Sequence, residues 1–205
     1  MEINTAAVLT HLIGRLQCQE VILPISGYRS LEEQKSIYET SMKMNGREFT
    51  EKYVAMPNHS EHQTGLAIDL ALKQDHIDFI RPEFPYKGIC NVFREKALQC
   101  GFVERYPRNK EAITGIAHEP WHFRYVGYPH SLIMQENNFT LEEYVEFIKS
   151  YHYEGEHFIT NINQQVIEIF YISASYSLTV IELPDEVIYQ ISGNNIDGFI
   201  VTLWK

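Results

Sequence analysis

Two short segments hold residue types that carry out hydrolytic chemistry together. One is Ser60-Glu-His62-Gln-Thr-Gly65-Leu-Ala-Ile-Asp69; the other, further along, is Glu119-Pro-Trp121-His122. His62, Asp69 and His122 offer two imidazoles and one carboxylate. That donor set suits zinc and leaves the fourth tetrahedral position open, as catalytic zinc requires. Glu119, three residues before His122, can act as general base and then pass its proton to a leaving amine. Arg29 ends the run Ser26-Gly-Tyr-Arg29 and can meet a substrate carboxylate or a tetrahedral oxyanion. Gln34, in the first turn of the next helix, can reach the same space. Ser60 binds substrate or forms a turn. Trp121, beside His122, is assigned to the rim of the cleft. His59, His76, His118, His130, His152 and His157 read as ordinary surface or core side chains.

The elements around these residues must position them. In the run 65–72, Leu66, Ile68, Leu70 and Leu72 point one way and Ala67, Asp69 and Ala71 the other. That is a strand with a core face and a site face, on which an unpaired carboxylate would be costly. On a straight strand Glu119 and His122 would face opposite ways. Pro120 breaks the ladder, so Glu119 is expected on a loop at the strand entry, leaning toward the metal. Val21–Ile25 is a strand-like run leading to Arg29. Ser30 and Glu33 form a capping box for a helix over 31–44, ended by Asn45-Gly46. Residues 5–17 carry helical spacing, and 91–100 a helix capped by Gly101. Strands are expected at 102–106 and 121–126, a loop over 75–88, and a helix from the Thr140/Glu143 box to Tyr151. After Gly155 the chain turns to β-formers, with punctuation at Asn161-Ile-Asn163, Leu183-Pro-Asp185 and Gly193-Asn-Asn195. Four strands are expected there, at 166–172, 177–182, 186–191 and 198–204. The predicted fold class is α+β: a central antiparallel sheet flanked by helices over 1–152, the catalytic domain, with a small β-rich appendage over 156–205.

Composition bounds the function. At 205 residues, 44% hydrophobic and 21% charged, the chain reads as globular. A formal net charge of −10 disfavours a nucleic-acid or anionic membrane partner. An anionic substrate needs local positive charge from a metal or a placed arginine. Cys18, Cys90 and Cys100 are odd in number and scattered, which implies reduced thiols and no cysteine metal site. No run of apolar residues reaches transmembrane length, and no basic-then-apolar leader is visible, although a trimmed segment stays open.

The pattern Ser60-x-His62-x-x-Gly65-x-Ala67-x-Asp69 with Glu119-x-x-His122 resembles the zinc D,D-peptidases of the VanY, VanX and VanXY group. Ser26-Gly-Tyr-Arg29-Ser with Gln34, Tyr53-Val-Ala-Met-Pro57 and Glu119-Pro-Trp-His-Phe-Arg-Tyr-Val-Gly127 fit the same group. The resemblance runs from Ile22 to Tyr151 and is nearest to the VanXY type with a C-terminal segment. It implies a fold shared with the hedgehog signalling domain. It also implies hydrolysis of the terminal D-alanine of peptidoglycan precursors, and of D-Ala-D-Ala dipeptide, as in vancomycin-type resistance. By residue it places one Zn2+ on His62, Asp69 and His122, the base on Glu119, transition-state stabilisation on Arg29, and substrate contacts on Gln34 and Ser60. The implied partner is a D-Ala-D-Ala-terminated peptide or the dipeptide, with homodimer formation left open. The implied location is cytoplasmic, as for VanXY members, or membrane-anchored if an N-terminal segment precedes this sequence. Family members carry a longer N-terminal stretch, so the short start here implies either a truncated chain or a more open cleft, and ranks carboxypeptidase above dipeptidase activity. A peptidoglycan endopeptidase and a non-catalytic hedgehog-like zinc module are the alternatives.

Overall fold

The alternating run around Asp69 becomes β2 (Ala67–Leu72), an inner strand of a four-stranded antiparallel sheet. The computed structural model describes all 205 residues, Met1–Lys205, and divides into two compact units, Met1–Thr140 and Leu141–Lys205. In the first unit β1 (Ile22–Ser26), β2, β3 (Phe102–Tyr106) and β4 (Glu119–Tyr125) lie in the order β1-β2-β4-β3. Ile68 and Leu70 of β2 enter the core with Trp121 and Phe123 of β4. Leu9 and Leu12 of α1 (Ile3–Arg15) and Phe93 of α4 (Gly88–Gln99) complete that face. Burying one such side chain stabilises by ~1.5–3 kcal/mol. A slip of one residue would turn the whole apolar set outward, so the core face sets the register and hence what the opposite face presents.

α2 (Leu31–Asn45) opens on the expected capping box: the Ser30 hydroxyl accepts from the Glu33 amide, and the Glu33 carboxylate accepts from the Ser30 amide. α3 (Arg47–Tyr53) follows, tied to α2 by the buried hydroxyls of Ser41 and Thr50, 2.8 Å apart. A 3-10 turn, Glu61–Thr64, ends on Gly65 with φ of 74°. A Cβ at Gly65 would lie 2.8 Å from the Glu2 backbone nitrogen, so this turn requires glycine. Short α5 (Glu111–Thr114) precedes β4, and α6 (His130–Glu136) follows it. The three cysteines are free thiols.

Two ladder irregularities shape the site face. Pro24 opposes Leu70 but Ser26 opposes Asp69, so β1 carries one extra residue just before the Arg29 turn. Glu104 opposes Phe123 but Tyr106 opposes Glu119, so four steps of β4 match two of β3. Glu119 therefore lies inside the strand and not on an entry loop. The interruption at Pro120 is a bulge, whose extra residues bring Glu119 back to the side of His122.

The second unit comprises α7 (Leu141–Lys149), β5 (Phe158–Ile162), β6 (Gln165–Ser173), β7 (Ile188–Gly193) and β8 (Gly198–Trp204), with sheet order β5-β6-β8-β7. Three of the four expected strands correspond to β6, β7 and β8. No strand forms at 177–182, and β5 forms where none is expected. Asn163 and Gln164 both take positive φ, 54° and 67°, closing a two-residue hairpin that pairs Ile162 with Gln165. In 177–182, Leu178 and Val180 are exposed, while Ile181 packs on Phe170, Val201 and Leu203. The Glu182 amide and carbonyl of that segment bond the Tyr153 hydroxyl in place of a strand partner.

Candidate metal centre

Asp69 and His122 are direct cross-strand partners on β2 and β4. The 3-10 turn brings His62 to the same point. Asp69 Oδ1 lies 2.9 Å from His122 Nδ1, and Asp69 Oδ2 lies 3.2 Å from His62 Nε2. All three residues are buried, and one donor atom from each falls within 4.8 Å of the others. His62 Nδ1 is 2.6 Å from the Gly27 carbonyl oxygen. A carbonyl only accepts, so that nitrogen holds the proton and Nε2 keeps its lone pair for the donor set. Two imidazole nitrogens and a carboxylate converging in a dry pocket fit a divalent cation of the zinc kind.

The electrostatics of this cluster are strongly coupled. Burial works against ionisation of Asp69, but the neighbouring His62 and His122 hold its carboxyl well below the usual range. Burial pushes His62 down. Burial opposes charge on His122 too, yet the hydrogen bond to Asp69 and the nearby carboxylates of Glu61, Asp69 and Glu119 raise it to about 9. Glu119 Oε2 lies 3.7 Å from His122 Nδ1. Burial pushes Glu119 up to about 8, with Asp69 and Glu61 reinforcing the shift and His122 and Arg29 opposing it. The metal-free cluster thus holds protons near neutrality, and metal uptake at these donors releases them.

Arg29 is pinned at three points. Nη2 donates to Asp69 Oδ2 at 2.7 Å, Nε to Ser26 Oγ at 2.7 Å, and Nη1 lies 3.4 Å from Gln34 Oε1. Gln34 is fully buried, donates Nε2 to the Ala55 carbonyl at 2.7 Å, and is not among the residues lining the cavity. It reaches the site through Arg29. Ser60 lines the cavity and makes no capping hydrogen bond to the turn it precedes. Trp121 packs in the core and also lines the cavity, so it belongs to both. The cavity holds about 560 Å³; Arg29, Ser60, the three donors and Glu119 line one part of it, and Ile37, Met44, Phe49 and Tyr53 of α2 and α3 line another.

Sequence reasoning missed four neighbours of the cluster. Glu61 Oε1 accepts from Arg105 Nε at 2.7 Å, and Glu61 Oε2 lies 3.4 Å from Arg124 Nη1 and 3.7 Å from His122 Nε2. The Tyr106 ring lies 4.9 Å from that of His122. Arg124 stands two residues after His122 on one strand face, a signal the sequence carries. Glu61 and Arg105 meet only through the fold.

The family model for VanY, D-alanyl-D-alanine carboxypeptidase, matches residues 1–128. The chain belongs to the VanY family. It is 46% identical over 125 residues to the bifunctional D-Ala-D-Ala dipeptidase and carboxypeptidase VanXYC of Enterococcus gallinarum, covering 60% of this chain and 66% of that protein. A D-alanyl-D-alanine carboxypeptidase of Enterococcus faecium is 39% identical over 179 residues, covering 87% of this chain and 52% of that protein. The chain thus spans less than two thirds of each of these curated relatives. Among solved structures, the vancomycin resistance D,D-dipeptidase VanXYg, in complex with a D-Ala-D-Ala phosphinate analogue, superposes with a TM-score of 0.95 at 57% identity. That match covers 100% of this chain and 82% of the other. VanYB, solved with D-Ala-D-Ala, gives a TM-score of 0.60 at 31% identity, covering 73% of this chain and 84% of that one. A further VanY-family structure was solved in complex with Zn(II). The α+β fold, C-terminal sheet included, matches VanXYg over the whole chain.

Proposed function

We propose that this chain is a zinc-dependent D,D-peptidase that removes the terminal D-alanine from peptidoglycan precursors and also cleaves D-Ala-D-Ala, as in vancomycin-type resistance. The observation that carries this reading is the convergence of His62, Asp69 and His122 with Glu119 beside them on the wall of one cavity. One zinc ion would be held by His62 Nε2, an Asp69 oxygen and His122 Nδ1. Bound there, it supplies Lewis-acid chemistry, polarising a carbonyl and making water nucleophilic near neutral pH. Glu119 takes the proton of the attacking water and returns it to the departing amine. Arg29, anchored on Asp69 and Ser26, presents its guanidinium to the oxyanion or to the terminal carboxylate. Ser60 and Trp121 contact the substrate, and Gln34 sets the orientation of Arg29.

The size of the cavity supports a substrate longer than a dipeptide, because about 560 Å³ suits a drug-sized ligand. The apolar wall formed by α2 and α3 then faces the acyl side of the scissile bond. Glu119 and Arg29 speak against a non-catalytic zinc module, which needs neither. We assign catalysis to 1–152, treat 156–205 as an appendage, and place the enzyme in the cytoplasm like the bifunctional members it resembles; cell fractionation tests the compartment. D-Alanine release is expected from both a pentapeptide precursor and the dipeptide. Glu119→Ala is expected to lower kcat by ~10²–10⁴-fold while zinc content is unchanged. Full turnover in that variant would remove Glu119 as the base, and uptake of zinc with no release from either substrate would favour the non-catalytic module.

A further inference from the structure

His122 is held from both sides. Its Nδ1 faces Asp69 Oδ1 at 2.9 Å and Glu119 Oε2 at 3.7 Å, while Nε2 faces Glu61 Oε2 at 3.7 Å. Glu61 Oε2 and His122 Nε2 are both buried side-chain atoms that lack a hydrogen-bond partner. They point at each other, just beyond hydrogen-bonding distance. Glu61 cannot swing away freely: its other oxygen accepts from Arg105 on β3, and Arg124 on β4 flanks Oε2 at 3.4 Å. Both arginines are buried. Together they offset a carboxylate that would otherwise add uncompensated negative charge beside Asp69 and Glu119.

We propose that Glu61 is a positioning residue for the metal centre: clamped by Arg105 and Arg124, it accepts the Nε2 proton of His122 and so fixes the tautomer whose Nδ1 lone pair joins His62 and Asp69. The reason is one of proton accounting. An imidazole that binds a cation through Nδ1 carries its proton on Nε2, and a buried N–H without an acceptor is costly. Glu61 is the acceptor aimed at that atom, and a small rotation of either side chain closes the gap. The 3-10 turn that delivers His62 to the donor set also delivers Glu61, so one turn supplies a ligand and the orienting partner of another ligand. This inference rests on the metal reading given above but concerns only which nitrogen of His122 is protonated and what holds it.

The test combines zinc affinity with nuclear magnetic resonance of ¹⁵N-histidine-labelled full-length chain. In the zinc-loaded wild type, His122 is expected to show a protonated Nε2 with a slowly exchanging proton. Glu61→Gln, which keeps the shape, and Glu61→Ala are expected to speed that exchange. Both should lower zinc affinity by roughly 10- to 100-fold in competition with a chromophoric chelator. Unchanged affinity and exchange in both variants would overturn the proposal. If neither variant folds, the wild-type spectrum decides, because an unprotonated, metal-bound Nε2 on His122 overturns it. A wild-type chain that takes up no zinc fails earlier, overturning the metal reading and this proposal with it.

Discussion

Asp69 is the most heavily shared residue of the site. Its two oxygens meet Arg29, His62 and His122. Such sharing is stable only because Arg29 supplies a positive charge and His122 a proton that offset the burial of the carboxylate. Arg29 depends on its planar fork here: Nε and Nη2 bond Ser26 and Asp69 in different directions. A lysine has one compact cationic point and cannot do both. Arg29→Lys is therefore expected to lower kcat by ~10²–10³-fold, the effect of losing one oxyanion donor, with a smaller change in zinc affinity. Steady-state turnover and metal competition on the same variant separate the two effects.

At the scale of elements, the decisive feature is the bulge in β4. Arg94 of α4 braces it: Nη2 donates to the Pro120 carbonyl at 2.9 Å and to the Phe84 carbonyl at 3.2 Å, and Nε pairs with Glu104 of β3 at 2.7 Å. One half-buried guanidinium thus ties α4, β3, the bulge and the loop before α4. Arg94→Met removes the clamp and leaves Glu104 without its cation. The expected loss is ~1.5–3 kcal/mol of unfolding free energy in urea titration, the worth of hydrogen bonds to a charged group. Turnover should fall too, because the bulge sets the position of Glu119. A variant with wild-type stability would show that the Glu104 charge is compensated elsewhere.

At the scale of the whole molecule, stability is linked to metal and to protons. A ligand at ~100 times its Kd stabilises the folded state by ~2.7 kcal/mol, or about 5–10 °C in melting temperature for a chain of this size. Chelation is expected to lower Tm by that amount in the wild type and to leave Asp69→Asn unmoved, as read by calorimetry. Acid acts through His130 of α6. Burial pushes this imidazole from 6.5 down to about 4, so it stays neutral in the fold and takes up a proton on unfolding. The stability it contributes is complete above pH 6.5 and declines as pH falls toward 4, by ~3 kcal/mol in all. In His130→Gln the loss of unfolding free energy across that interval should be smaller by about this amount. Equal slopes in the two proteins would show that His130 already binds its proton in the fold.

Much of this protein is written in local sequence. The alternation about Asp69, the Ser30–Glu33 capping box and the longer helices and strands of the first unit follow from side-chain period and turn chemistry, which act over a few residues. The same locality explains why His62, Asp69, His122 and Glu119 can be singled out by residue type and spacing. Other features depended on partners far apart in the chain. Glu119 reaches His122 through a bulge that exists only against β3, and Gln34 is held behind Arg29 by a hydrogen bond to the distant Ala55 carbonyl. The strand at Phe158–Ile162 needed the positive φ of Asn163 and Gln164, and Ile181 of 177–182 is held by packing on Phe170, Val201 and Leu203 instead of by a ladder. Glu61, Arg105 and Arg124 come from a turn and two strands, and their charges balance only when the sheet brings them together. Sequence by itself determined which residues have the chemistry. Tertiary structure decided which atoms face one another, because register, bulges and buried charge balance are properties of paired elements and not of any one segment.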